Sequence, residues 1–187
     1  MIETPQEYTA RILGYIEGSE PLKVIESTPR RLKKLLKGAT RQKLSKRPDP
    51  THWSVTEILA HLADSELVMG FRMRLVLGSN GVTIQGFDQD VWAEFSHYAK
   101  QDPRVSLNSF LAERERTIRL LKQVPAELWE NYGMHTERGK ETLHRIAGMM
   151  AGHDVNHLRQ IEQTLASTNK RGANATKTSA KRKHRSR

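Results

Sequence analysis

Apolar residues recur along most of this chain at steps of three and four, the period of one face of an α-helix. No segment of strand length shows the sustained apolar alternation that a half-buried strand needs, so the pattern predicts an all-α fold. Tyr8, Ile12, Tyr15 and Ile16 mark a first short helix from about Pro5 to Glu17, ended by Gly18 and Ser19. A second stretch begins near Glu20, carries Leu22 and Ile25, and meets Ser27-Thr28-Pro29, where the proline either opens a fresh helix or kinks a continuous one. Leu32, Leu35 and Leu36 extend its stripe to Gly38. From Ala39 to His52 the charged and proline residues, among them Arg41, Lys43, Pro48 and Pro50, read as a loop.

Ser54 and Glu57 stand at capping-box spacing and predict a helix from there to about Leu77, terminated by Gly78-Ser79-Asn80-Gly81. Phe87 to Tyr98 includes a short helix. Arg104 to Gln123 forms the third long helix, closed by Pro125, and the fourth opens at or just before Thr142 and runs to about Leu165. Four long segments with these connections describe a four-helix bundle with short extra helices, a fold that carries sites on side chains facing inward from different helices.

Charge changes this picture at one end only. The 187 residues have 31 Lys and Arg against 21 Asp and Glu, a formal net charge of +10. From Lys170 to Arg187 there are eight basic residues and no acidic one, leaving a nearly neutral body of 23 basic against 21 acidic groups. The segment from Thr168 has three Ala as its only apolar residues and cannot bury enough surface to order itself. The expected organisation is one domain over 1–168 and a disordered basic tail over 169–187. The tail is either a solvated extension or a nucleic-acid anchor working through counterion release.

Cysteine is absent, which excludes a disulfide framework, a Cys-based zinc site and a thiol nucleophile on the protein itself. The N-terminus has no basic and apolar leader, and no apolar run reaches membrane-spanning length, so a soluble, cytoplasmic protein with no membrane partner is expected. Nucleophile elbows, phosphate loops and dinucleotide fingerprints are also missing.

Histidines carry the candidate chemistry. His153 and His157 lie four apart, which stacks two imidazoles on one helix face, as two ligands of one metal ion need. They interrupt the stripe Leu143, Ile146, Met150, His153, His157, Ile161, so they face the core. His61, three beyond Ile58, sits near the edge of the second long helix's apolar face and can turn inward. Together they would form a facial set of three nitrogens with open positions, the arrangement of a catalytic more than a closed structural site. Asp64, Glu66, Asp154 and Gln160 are placed to accept from the ligand imidazoles. His52, His97, His135, His144 and His184 are assigned structural or surface places, with His135 the most open of these. His153-Asp154-Val155-Asn156-His157 also resembles the His-Glu-x-x-His of zinc peptidases, but Asp is one methylene short of the general-base Glu and no downstream folded element offers a third ligand.

These stretches resemble one family. Trp53-Ser54-Val55-Thr56-Glu57-Ile58-Leu59-Ala60-His61-Leu62-Ala63-Asp64-Ser65-Glu66 is similar to the second-helix motif of the DinB/YfiT-like metal-binding four-helix bundles. Gly86-Phe87-Asp88-Gln89-Asp90-Val91-Trp92-Ala93-Glu94 resembles the inter-helix loop of the YfiT-like branch, and Ala151-Gly152-His153-Asp154-Val155-Asn156-His157-Leu158-Arg159-Gln160-Ile161 its closing helix. The resemblance spans roughly Pro21 to Leu165. It implies that His61, His153 and His157 hold one divalent metal ion, zinc or nickel. It further implies a thiol S-transferase of the bacillithiol S-transferase-like branch, joining a low-molecular-weight thiol to an electrophile, or a related hydrolase. Asp88 and Trp92 would then belong to the substrate loop over the metal, though a capped short helix with a packing Trp explains them equally. A homodimer is expected from such bundles. The alternative from another class is a non-catalytic, stress-related metal-binding protein.

Overall fold

In the computed structural model of the chain, the backbone is described for residues 3–184 and the side chains for residues 3–167. Among these residues seven α-helices and three short strands follow in the order α1 (Pro5–Gly14), α2 (Pro21–Leu36), α3 (Arg41–Leu44), α4 (Val55–Gly78), β1 (Val82–Ile84), α5 (Gln89–Phe95), α6 (Pro103–Gln123), β2 (Tyr132–His135), β3 (Gly139–Thr142) and α7 (Leu143–His184). The expected disordered segment over 169–187 lies outside the residues whose side chains are described. No helix among the described residues is long and apolar enough to cross a membrane.

Four helices make the bundle. α4 packs against α6 and α7, and α2 against α7 and α6, which gives the cyclic order α2, α7, α4, α6. Since α2 and α4 lie on a diagonal, as do α6 and α7, their connections must cross an end of the bundle, and this is where the irregular segments 37–54 and 124–142 lie.

Local chemistry sets the helix starts. Ser54 accepts from the Glu57 amide while the Glu57 carboxylate accepts from the Ser54 amide at 2.8 Å, so the predicted capping box opens α4. Thr4 and Glu7 repeat the device at α1. α2 runs unbroken through Pro29, the second of the two options the sequence left open. Proline has no N–H for the Ile25 carbonyl four residues back, and Arg114 Nη1 of α6 donates to that freed oxygen at 3.3 Å.

The bundle core consists of two apolar blocks. Leu32, Leu59, Leu62, Phe110, Leu158 and Ile161 belong to one, and Ile25, Met73, Val76, Leu121, Ile146 and Met150 to the other. Between them each helix contributes buried polar residues: Thr28 from α2, Glu66 from α4, Arg114 and Thr117 from α6, Asp154 from α7. Arg114 of α6 ties its helix to the other three. Its Nε donates to Glu66 Oε2 at 2.8 Å, its Nη2 to Asp154 Oδ1 at 2.9 Å, and its Nη1 reaches Asp154 Oδ2 as well as the Ile25 carbonyl.

The helical bundle carries one addition that the helical period does not announce. β1 and β2 pair in parallel, Val82 opposite Gly133, and β2 and β3 pair antiparallel, Tyr132 opposite Thr142, forming a small sheet at one end of the bundle. Strands of three and four residues are too short to show alternation, so periodicity could not reveal them. The β2–β3 turn closes on Gly139, whose φ of 75° is a left-handed conformation that glycine adopts freely.

α1 lies outside the four-helix ring and seats on α7. At Gly152 a Cβ would stand 2.1 Å from the Ile12 carbonyl oxygen, so the two backbones touch because α7 carries no side chain there.

Candidate metal centre

α4 and α7 bring His61, His153 and His157 together. His61 Nε2 lies 2.9 Å from His153 Nε2, which lies 3.0 Å from His157 Nε2. Among the described residues these three form the group of potential ligands whose donor atoms all fall within 4.8 Å of one another. The spacing on α7 does what the sequence predicted, and His61, only 1% exposed, has turned inward.

Burial holds all three imidazoles neutral. Loss of water lowers the pKa of His61 and His153 well below the ordinary value, with neighbouring histidines adding to the effect, and lowers His157 to about 4. A neutral imidazole offers a lone pair, the form a metal ligand requires. Gln160 Oε1 stands 2.8 Å from His157 Nδ1 and accepts from it, so His157 presents its lone pair at Nε2. His153 Nε2 faces two such nitrogens and can give a proton to one at most. A cation between the three satisfies all of them. Two nitrogens bound at about 2.1 Å and separated by a right angle stand about 3.0 Å apart, the spacing seen here. The residues therefore fit a metal ion.

The expected supporting carboxylates do not fit their assigned role. Asp154 and Glu66 are both taken by Arg114, and Asp64 Oδ2 accepts from the Tyr98 hydroxyl at 2.5 Å. None of the three accepts from a ligand imidazole. A buried guanidinium holds carboxylates more strongly than a neutral ring can. The same pairing removes Asp154 from any general-base role, which disposes of the peptidase reading. His61 Nδ1 has no hydrogen-bond partner among the described residues; the Trp53 ring packs on the imidazole with its centroid 5.1 Å away, and the Ser65 hydroxyl stands 3.3 Å from Nε2, the nitrogen that faces the other two histidines.

Two chambers meet at the histidines. One, of about 480 Å³, includes His52, Trp53, Asn156, His157 and Gln160 in its wall. The other, of about 370 Å³, includes His61, Met69, Arg72, Phe87, Arg138 and His153. Tyr8 of α1 and Gln89 of α5 belong to both walls and stand where the chambers adjoin.

Of the substrate-loop candidates, Asp88 caps α5 by accepting from the Asp90 and Val91 amides at 2.9 and 3.1 Å, and Trp92 packs on Phe87 with centroids 4.9 Å apart. Their neighbours Phe87 and Gln89 line the cleft in their place. His135 is buried outside the histidine group, and its Nδ1 accepts from the Glu137 amide at 3.1 Å, closing the β2–β3 turn.

Sequence reasoning missed Arg72, Arg114 and Tyr8 as site residues. A signal existed for the two arginines. Arg114 falls in the stripe Phe110, Arg114, Thr117, Leu121, and Arg72 in Met69, Arg72, Val76, so each charge occupies a position where the helix faces the core.

The sequence model of the DinB superfamily matches residues 25–161, nearly three quarters of the chain. The chain belongs to the DinB superfamily. All three histidines lie inside the matched segment, and α1 lies before it. This DinB-superfamily chain is 27% identical over 143 residues to a protein of Oceanobacillus iheyensis provisionally named a metal-dependent hydrolase, covering 76% of this chain and 83% of that one. A similarly named protein of Halalkalibacterium halodurans is 26% identical over 147 residues, covering 79% and 85%. Among solved structures, YfiT of Bacillus subtilis, provisionally described as a metal-dependent hydrolase with an unusual four-helix bundle topology, aligns with a TM-score of 0.68 at 23% identity over 76% of this chain and 84% of its own. A mycothiol-dependent maleylpyruvate isomerase aligns with a TM-score of 0.62 at 11% identity over 74% and 58%. These two likenesses establish the DinB/YfiT bundle fold.

Proposed function

We propose that this protein is a metal-dependent transferase that joins a low-molecular-weight thiol to an electrophilic small molecule, with His61, His153 and His157 holding one divalent ion, zinc or nickel. The observation that carries this reading is the pair of separate chambers meeting at one three-histidine floor. Hydrolysis needs room for one organic substrate and a water molecule, whereas group transfer needs room for two organic substrates with their reacting atoms adjacent. The absence of cysteine is consistent, because the thiol then arrives with the substrate.

A bound divalent ion would supply Lewis acidity, lowering the pKa of a thiol so that thiolate is available at neutral pH. The chain's own residues prepare the place. Burial keeps the three imidazoles deprotonated, Gln160 fixes the tautomer of His157, and the Trp53 ring packs on His61. Tyr8 and Gln89, shared by both walls, are placed between the two reactants.

The test is thiol consumption by zinc- and nickel-loaded protein with an aryl halide acceptor, across several small thiols. Conjugation that requires stoichiometric metal and disappears in His157→Ala is expected. Full metal loading with no conjugation of any thiol, alongside metal-dependent cleavage of ester or amide substrates, would replace this reading with the hydrolase reading that the relatives' names carry.

A further inference from the structure

Arg72 lies in α4 three turns beyond His61, and only 5% of it is exposed. A buried guanidinium normally has a carboxylate against it, since removing its charge from water is otherwise costly. The other fully buried arginine, Arg114, follows that rule with Glu66 and Asp154, and the more exposed Arg138 and Arg47 pair with Glu141 and Glu57. Among the described residues Arg72 makes no ion pair. Its Nη2 donates to the Gln85 carbonyl at 2.6 Å, its Nη1 makes a weak contact with Met69 Sδ at 3.9 Å, and its guanidinium carbon lies 5.7 Å from the Phe87 ring centroid. Burial lowers its pKa to about 10, the mark of a cation short of compensation.

This guanidinium lines the second chamber together with His61 and His153. We infer that the Arg72 chamber is a binding site for a carboxylate, carried by a small organic substrate whose other end reaches the three-histidine centre. The wall explains the choice of anion. Met69, Met149 and Phe87 supply apolar surface for a short carbon skeleton, while Glu3 and Glu137 at the rim disfavour a dianion such as a phosphate monoester. Glu3 is itself paired with Arg11, Glu141 is held by Arg138, and Glu137 is exposed, so these carboxylates offset the Arg72 charge from a distance without forming an ion pair with it. One uncompensated positive charge in a half-apolar chamber matches one carboxylate.

Which of the two substrates brings the carboxylate depends on the thiol-transfer reading, so the experiment has an arm for each source. In the first, cobalt-loaded protein is titrated with a series of short mercaptocarboxylates and their primary amides, with sulfur-to-metal charge-transfer absorption reporting thiol binding. In the second, metal-free protein with labelled arginine is titrated with thiol-free monocarboxylates and their amides, reading the Arg72 Nε–H resonance assigned by its loss in Arg72→Met. The expected result is a preference for carboxylate over amide of about tenfold or more in at least one arm, the ratio that charge-assisted hydrogen bonds give. It should vanish in Arg72→Met while amide binding is unchanged. A preference in the first arm identifies the thiol as the carrier; one confined to the second identifies the electrophile. If Arg72→Met does not fold, Arg72→Lys retains the charge without the fork and should show a reduced preference. Equal binding of carboxylate and amide in both arms, or a preference that survives loss of Arg72, overturns the inference. Absence of any thiol absorption with the carboxylate effect on Arg72 intact would instead sink thiol transfer and leave this site standing.

Discussion

Arg114 and Arg72 are both withdrawn from water, at 1% and 5% exposure, and their surroundings could hardly differ more. Arg114 stands in the middle of the bundle with two carboxylates and a freed backbone carbonyl around it. Arg72 stands at the wall of the cleft with one carbonyl and a thioether, in the chamber whose wall also includes His61 and His153. The difference separates two uses of buried polarity. Where partners are supplied from within, the polar layer fixes which helices meet and in what register. Where donors and lone pairs face a space without internal partners, the fold stores binding capacity for something that arrives from outside.

Removing Arg114 should have the largest effect on stability. Arg114→Met strands the Glu66 and Asp154 carboxylates in the core and is expected to lower the unfolding free energy by about 3 to 5 kcal/mol. Arg72→Met strands no buried carboxylate and should cost only about 1 to 3 kcal/mol through the Gln85 carbonyl. Urea unfolding of the two variants measures both, and equal losses would break the comparison.

The histidines sharpen it through pH. Their pKa values are lower in the folded chain than in the unfolded one, where they are near 6.5, so between that value and about 4 the unfolded chain binds more protons. Stability of the metal-free protein is therefore fully present above pH 6.5 and falls as pH drops toward 4. Added divalent ion should steepen the loss, because protons and metal compete for the same nitrogens. Thermal unfolding across this range, with and without zinc, checks both statements.

Smaller still is the effect at Gln160, the residue that fixes the His157 tautomer. Gln160→Ala should weaken metal affinity by about 10- to 100-fold, read by chelator competition, with little change in the unfolding of the metal-free protein. At the bottom of the scale lies the Lys122–Glu26 pair, 56% and 35% exposed. Lys122→Ala should change stability by less than about 1 kcal/mol, since water and salt already screen such pairs. A larger loss would mean that surface pairing contributes to this bundle as much as the buried layer does.

The bundle was legible in the sequence because its helices are long enough for their apolar stripes to repeat, and because Ser54 with Glu57 announces a start in four residues. The histidine centre was legible for a related reason: His153 and His157 break a regular stripe on one helix. The sheet was not, since β1 supplies only three residues and its pairing to β2 spans fifty positions of chain. The fates of Asp64, Glu66 and Asp154 were misread for the same reason. Their proximity in sequence to His61 and His153 is local, whereas the groups that claim them, Tyr98 and Arg114, arrive on other segments. Competition between a nearby neutral ring and a distant cation is settled by tertiary structure.

Gly152 allows the backbone of α1 to rest on α7 one residue before His153. The helix that carries Tyr8 and Arg11 to the cleft is thus fastened to the bundle by a glycine contact and lies ahead of the stretch that defines the superfamily. The histidines and part of the wall around them therefore travel on separable pieces of chain: the bundle carries the three nitrogens, and the leading helix furnishes one side of the cleft. In such an architecture the shape of the cleft can be rewritten by exchanging a leading segment, with every nitrogen of the centre left in place.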